Sequence, residues 1–131
     1  MIRLLVVDDA PFVREIVRYS LRATQVEIVG EAEDGKEAVA LAAQLKPDVI
    51  LMDIVLPLQN GIEAAKEILS QNPKQKIVAF STNDTESLIL KTLEAGCVSF
   101  LPKPFQREEL LAAVEQAAGF RSDEHGYIAN E

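Results

Sequence analysis

Apolar runs of strand length recur along the chain, with amphipathic stretches between them. Runs at 2–7 (IRLLVV), 27–32 (EIVGEA), 48–53 (DVILMD), 76–81 (KIVAFS) and 98–101 (VSFL) predict five strands. Helical spacing of apolar positions predicts helices over 11–23, 35–45, 61–71, 84–95 and 106–118. Boundary residues agree with these spans. Pro11 suits a first helical turn, Asp34 and Asn83 each stand three residues before a Glu, and Gly96 and Gly119 follow helices as stops. Strict alternation of strand and helix implies parallel strands with right-handed crossovers, hence a three-layer α/β/α sandwich.

The five strands differ in pattern. The first, third and fourth are nearly continuous apolar runs, as central strands covered on both faces require. The second alternates with Glu27 and Glu31, and the fifth is short, so both belong at the sheet's edges. That placement fits the order 2-1-3-4-5, in which ligands bind beyond the carboxyl ends of the strands. Those ends carry Asp8 and Asp9 after the first strand, Asp53 at the third, Ser81 at the fourth and Lys103 after the fifth. The second ends in Ala32 and Glu33 and stands outside this group.

Composition narrows the reading further. A length of 131 residues is that of one domain, long enough to bury roughly two thirds of its unfolded surface. The net charge of −8 argues against nucleic-acid or anionic-membrane binding. Cys97 is the only cysteine, so an internal disulfide is excluded and a reducing compartment fits; Cys97 itself reads as a small buried residue. No apolar run approaches membrane-spanning length, and MIRLLVVDD reaches its acids too soon for a signal peptide. Membrane insertion is therefore not expected, and the expected location is the cytoplasm.

Three converging carboxylates require a cation, and oxygen-only ligands suit a hard one, Mg2+ foremost. Mg2+ commonly bridges to a phosphate, which leaves one carboxylate free to act as a nucleophile and form an acyl phosphate. Such a transfer needs positioning and charge neutralisation, which the Lys103 ammonium and the Ser81 hydroxyl can share with the metal. No other nucleophile competes, since the single histidine, His125, lies in the polar C-terminal stretch. Each residue has an ordinary explanation in isolation: the acid pair and Ser81 as helix caps, Asp53 as a turn residue, Lys103 as a surface charge. Their coincidence at four strand ends outweighs those explanations.

The stretches LLVVDDAPFVREI, PDVILMDIVLPLQNG, VAFST and EAGCVSFLPKPF resemble the receiver domain of bacterial response regulators, particularly the single-domain chemotaxis (CheY-like) type. The resemblance runs over roughly residues 2–118. It implies the flavodoxin-like order 2-1-3-4-5, of which CheY is itself a familiar example, with a receiver domain over 1–118 and a flexible tail over 119–131. By that likeness Asp53 is the phosphoacceptor. Mg2+ would be held by Asp9 directly, Asp8 through water, Asp53 and the Val55 carbonyl. Lys103, Ser81 and Thr82 would bind the phosphate, with Ser81 and Phe100 as the switch pair and a cis Lys103–Pro104 bond.

The resemblance also implies a phosphoacceptor that assists its own phosphorylation and dephosphorylation, not an enzyme acting on other substrates. Its donor would be a sensor histidine kinase or phosphotransfer protein. Its target would dock on helix 4, strand 5 and helix 5 of a monomer. Several positions depart from the family pattern. Gln59 replaces a common Met, although Asn60-Gly61 keeps turn chemistry; Phe100 replaces a frequent Tyr; Val55 is apolar, from which slow loss of phosphate is expected. Consecutive Leu88, Ile89 and Leu90 predict a partly exposed docking patch on helix 4. The tail FRSDEHGYIANE lacks periodicity, so disorder is expected there, with Phe120 and Tyr127 as candidate contacts. No DNA-binding segment follows helix 5 in this sequence, which argues against transcriptional output in cis.

Two rivals stand beside this reading. A haloacid dehalogenase-like phosphatase would use Asp8 as nucleophile, but needs a DxDxT arrangement where this chain has DDAPF. A pseudo-receiver would serve as an interaction module without taking phosphate, but usually lacks an acid or the lysine, all present here.

Overall fold

The strands form as the alternating pattern predicts: β1 (Ile2–Val7), β2 (Val26–Ala32), β3 (Val49–Asp53), β4 (Lys76–Ser81) and β5 (Ser99–Pro102). Between and after them lie α1 (Pro11–Leu21), α2 (Gly35–Leu45), α3 (Gly61–Gln71), α4 (Glu86–Glu94) and α5 (Arg107–Ala118). The structure, a computed structural model, describes residues 1–56 and 60–119. Gln59, Phe120, His125, Tyr127 and the rest of the tail after Gly119 therefore lie outside the described residues. All strand pairings are parallel, and the sheet order is β2-β1-β3-β4-β5, as expected.

Each central strand sends alternate side chains to opposite layers. Ile2, Leu4 and Val6 of β1, with Val49 and Leu51 of β3 and Val78 and Phe80 of β4, pack under α1 and α5 against Val17, Leu21, Leu110 and Val114. Leu5, Val7, Ile50, Met52, Ile77 and Ala79 face the other way, against Ala38, Ala42, Ala64, Ala65 and Ile68 of α2 and α3. Cys97 joins this second cluster, and burial pushes its thiol up to about 11, which leaves it protonated at neutral pH. No helix among the described residues is long and apolar enough to cross a membrane.

Two of the expected helix ends move by two residues. Helix α1 stops at Leu21 because Arg22 is extended and Ala23 takes a positive φ of 60°. Helix α4 starts at Glu86, with Thr85 and not Asn83 in the N-cap position. Asn83 is instead drawn back toward the strand, its N–H donating to Ser81 Oγ at 3.0 Å. Asp34 does cap α2, accepting the Glu37 N–H at 2.8 Å.

The alternation read along strand 2 is broken by a bulge. Register jumps between Leu4 and Leu5, which pair with Ile28 and Gly30 and leave Val29 as the extra residue. Without it Glu27 and Glu31 would share a face. With it, Glu31 pairs with Val6 and turns toward α1.

Exposed apolar side chains also fall differently from the expected patch. Leu88 and Ile89 are half-buried, and the exposed residues of this region are Leu90 and Leu93 of α4 with Val98 before β5. Consecutive residues spread around a helix, whereas residues three apart share a face. On α1, Phe12, Ile16 and Tyr19 form a second exposed apolar face.

Asn60-Gly61 is a helix start and not a free turn. Asn60 caps α3 by accepting the Glu63 N–H at 2.9 Å, while buried Gly61 donates its N–H to Ile54 O at 3.1 Å. A Cβ at Gly61 would stand 2.2 Å from the Asp53 carbonyl oxygen and 2.4 Å from Ile54 Cα, both backbone atoms. Gly61→Ala is therefore expected to destabilise the protein by about 1–3 kcal/mol in chemical denaturation, as overpacking does. An unchanged midpoint would show that α3 does not press on the end of β3.

Candidate functional site

Asp8 lies two residues beyond Val6, and Asp53 two beyond Leu51, so both inherit the face that looks toward α1 and α5. Both are almost fully buried, at 1% and 4% exposure, and both need partners. Asp8 Oδ1 accepts the Ala10 N–H at 2.9 Å, and Asp53 Oδ1 accepts the Val55 N–H at 3.0 Å. Their other oxygens share one cation. Lys103 Nζ lies 2.8 Å from Asp8 Oδ2 and 3.3 Å from Asp53 Oδ2.

Lys103 is held from several sides. Its ammonium sits 4.4 Å from the centre of the Phe80 ring, a cation–π contact, and its backbone N–H donates to Ser81 O at 2.9 Å. Phe80 packs in turn on Phe105, with ring centres 6.2 Å apart. The Lys103–Pro104 peptide bond between them is cis.

One ammonium does not balance the acids around it. Asp9 is exposed beside the pair, and one carboxylate oxygen from each of Asp8, Asp9 and Asp53 falls within 4.8 Å of the others. Burial is the largest influence on Asp53 and, with the nearby Asp8 charge, pushes its carboxyl up to about 6. The Val55 N–H and Lys103 oppose that rise without cancelling it. An all-oxygen donor set with excess negative charge fits a hard divalent cation such as Mg2+.

The remaining expected residues occupy different positions. Ser81 is buried, and its oxygen accepts the Asn83 N–H, which leaves the hydroxyl proton available to a further acceptor. Thr82 is exposed on the loop after β4. The Val55 side chain is exposed next to Asp53 while its N–H points into the site. Phe100 is half-buried in the cluster under α2, α3 and α4, with Leu88 among its members.

Three residues at the site, Phe80, Arg14 and Glu31, are not among those the sequence points to. Phe80 looked like core, because nothing local shows that Lys103 will lie on its ring. Arg14 donates from Nη1 to the Asp8 carbonyl at 2.6 Å and from Nε to Glu31 Oε1 at 2.9 Å. A charge between the inward-facing Val13 and Val17 was the available signal for Arg14, but its partner Glu31 arrives only through the bulge in β2.

Comparison with known proteins agrees with this arrangement. Residues 4–115 match the family described as the response regulator receiver domain. The uncharacterized transcriptional regulatory protein YxjL of Bacillus subtilis is 48% identical over 118 residues, covering 89% of this chain. The chain spans about half of that relative's length, 54%. The chemotaxis protein CheY of Listeria monocytogenes is 36% identical over 118 residues, which cover 90% of this chain and 99% of that protein. The crystal structure of the response regulator domain of Thermotoga maritima CheB superposes with a TM-score of 0.84 at 37% identity, covering 92% of this chain and 98% of that one.

The raised Asp53 carboxyl has a measurable consequence in metal-free solution. The folded protein holds that proton more tightly than the unfolded chain does. Stability is therefore lost as pH rises from the ordinary carboxylate value of 3.8 toward about 6. With chelator present, Asp53→Asn should stabilise the protein at pH 7 by on the order of 1–2 kcal/mol, and by less at pH 5. Equal effects at both pH values, in paired thermal melts, would show that the charge on Asp53 carries no strain.

Proposed function

The chain belongs to the response regulator receiver domain family, and from that membership we propose that it accepts a phosphoryl group on Asp53. The observation that carries this reading is the Lys103 ammonium bridging Asp8 and Asp53 beside Asp9, at the carboxyl edge of the sheet. Asp8, Asp9, Asp53 and the Val55 carbonyl would hold Mg2+. Bound there, the ion would neutralise charge on the phosphoryl oxygens.

The donor is a sensor histidine kinase or a phosphotransfer protein. An Asp53 oxygen bonds to phosphorus as the bond from phosphorus to the donor's imidazole nitrogen breaks, and the electron pair leaves with the imidazole. Lys103 can follow the new phosphoryl oxygens while keeping its shorter contact to Asp8. The apolar face of α1, with Phe12 two residues past Ala10, offers a resting place for that donor next to the acids.

Phosphate on Asp53 gives the Ser81 hydroxyl an acceptor and draws in the loop carrying Thr82. Phe100 then repacks against its cluster, and the population shifts toward a second arrangement of α4, β5 and α5. Leu90, Leu93 and Val98 supply exposed apolar area on that surface for a target protein.

Beryllofluoride, a phosphoryl mimic, tests the reading in the full chain. With Mg2+ it should shift the amide resonances of Ser81, Thr82, Phe100 and residues of α4, and Asp53→Asn should remove every shift. Unchanged spectra under saturating Mg2+ and beryllofluoride would favour an interaction module that never takes phosphate.

A further inference from the structure

We propose that Arg14 is a positioning residue for the cation site, clamping the peptide that joins Asp8 to Asp9. The inference rests on the Mg2+ reading above and goes beyond it to a side chain that touches neither metal nor phosphate.

Both backbone polar groups of Asp8 are tied to or through β2. Its N–H donates to Ala32 O at 3.0 Å, and its carbonyl accepts from Arg14 Nη1 at 2.6 Å. Asp8 O belongs to the Asp8–Asp9 peptide, so the plane that Arg14 holds sets where the Asp9 side chain leaves the backbone. Asp9 is exposed, whereas Asp8 is buried and locked by Ala10 and Lys103. The carboxylate most in need of a constraint is the one whose peptide Arg14 restrains.

Arg14 is itself oriented. Its side chain is 12% exposed, its Nε is paired with Glu31 Oε1 at 2.9 Å, and its Nη2 lies 4.0 Å from Glu33 Oε2. Glu31 is fixed from the other side by Arg18, whose Nη1 lies 2.6 Å from Oε1. The chain Arg18–Glu31–Arg14–Asp8 carbonyl thus runs from the bulged edge strand to the acid loop. A fork of several donors can hold carbonyl and carboxylate at once, which a single ammonium cannot do.

The sign of the effect separates this role from plain electrostatics. A guanidinium near a cation site repels the cation, so on charge alone its removal would tighten Mg2+ binding. Removal of a group that orients a ligand weakens metal binding instead, typically 10–100-fold.

Titration calorimetry of the full chain with MgCl2 reads the difference directly. Arg14→Ala should bind Mg2+ about 10-fold more weakly than the wild type. Arg14→Lys should fall between the two, and Glu31→Gln should weaken binding less than Arg14→Ala. The slowed phosphorylation of Arg14→Ala by acetyl phosphate should return to the wild-type rate at saturating Mg2+, which a damaged fold would not allow. Unchanged or tighter Mg2+ binding by a folded Arg14→Ala or Arg14→Lys overturns the proposal. If Arg14→Ala fails to fold, Arg14→Lys and Glu31→Gln carry the same comparison. A wild-type protein that binds no Mg2+ would instead sink the cation reading, and this proposal with it.

Discussion

The site depends on one shared ammonium. Lys103 Nζ bridges Asp8 and Asp53, two carboxylates that end different strands and are both removed from water. Buried charges of one sign are tolerated only with a counter-charge, and removal of that partner is more damaging than the net value of the pair suggests. A single positive charge must therefore serve acids on β1 and β3 from a position just past β5. That requirement ties the chemistry to the strand order, because only parallel strands bring those three ends to one edge. Burial, with the nearby Asp8 charge, raises the Asp53 carboxyl, and the three acids at this edge could hold a divalent cation.

The same ammonium is joined to the parts that would relay a phosphorylation event. Its backbone N–H is bonded to Ser81, its charge lies over Phe80, and Phe80 meets Phe105 at the approach to α5. Ser81 in turn holds the loop that leads to α4 through the Asn83 N–H. On the proposed function, a phosphoryl group that recruits Lys103 and Ser81 perturbs β4, β5 and the start of α4 together. The apolar area at Leu90, Leu93 and Val98 lies beyond these joints, so a local charge change has a path to a docking surface.

Much of this was legible in the chain because the relevant signals are local. Runs such as VILMD declare a strand covered on both faces, and strand ends in a parallel sheet declare where ligands bind. Asp8, Asp9, Asp53, Ser81 and Lys103 follow from those two rules alone. What escaped depends on contacts that a periodic pattern of apolar residues does not record. The bulge at Val29 turns Glu31 toward α1, yet an extra residue in a strand leaves no mark in a pattern that already tolerates Gly30. Thr85 and not Asn83 takes the N-cap position of α4, while the Asn83 N–H donates to Ser81 Oγ. Gly61 reads as half of a turn dipeptide, whereas the carbonyl of Asp53 is what requires it to lack a side chain.

On the proposed function, the acid cluster and its lysine make Asp53 the acceptor of a phosphoryl group. Incubation with acetyl phosphate and Mg2+, followed by peptide mapping of the acid-labile adduct by mass spectrometry, tests it most directly. The peptide containing Asp53 should carry a single phosphoryl group, absent when Mg2+ is chelated. A group mapped to Asp8, or none at all under saturating donor and metal, would contradict it.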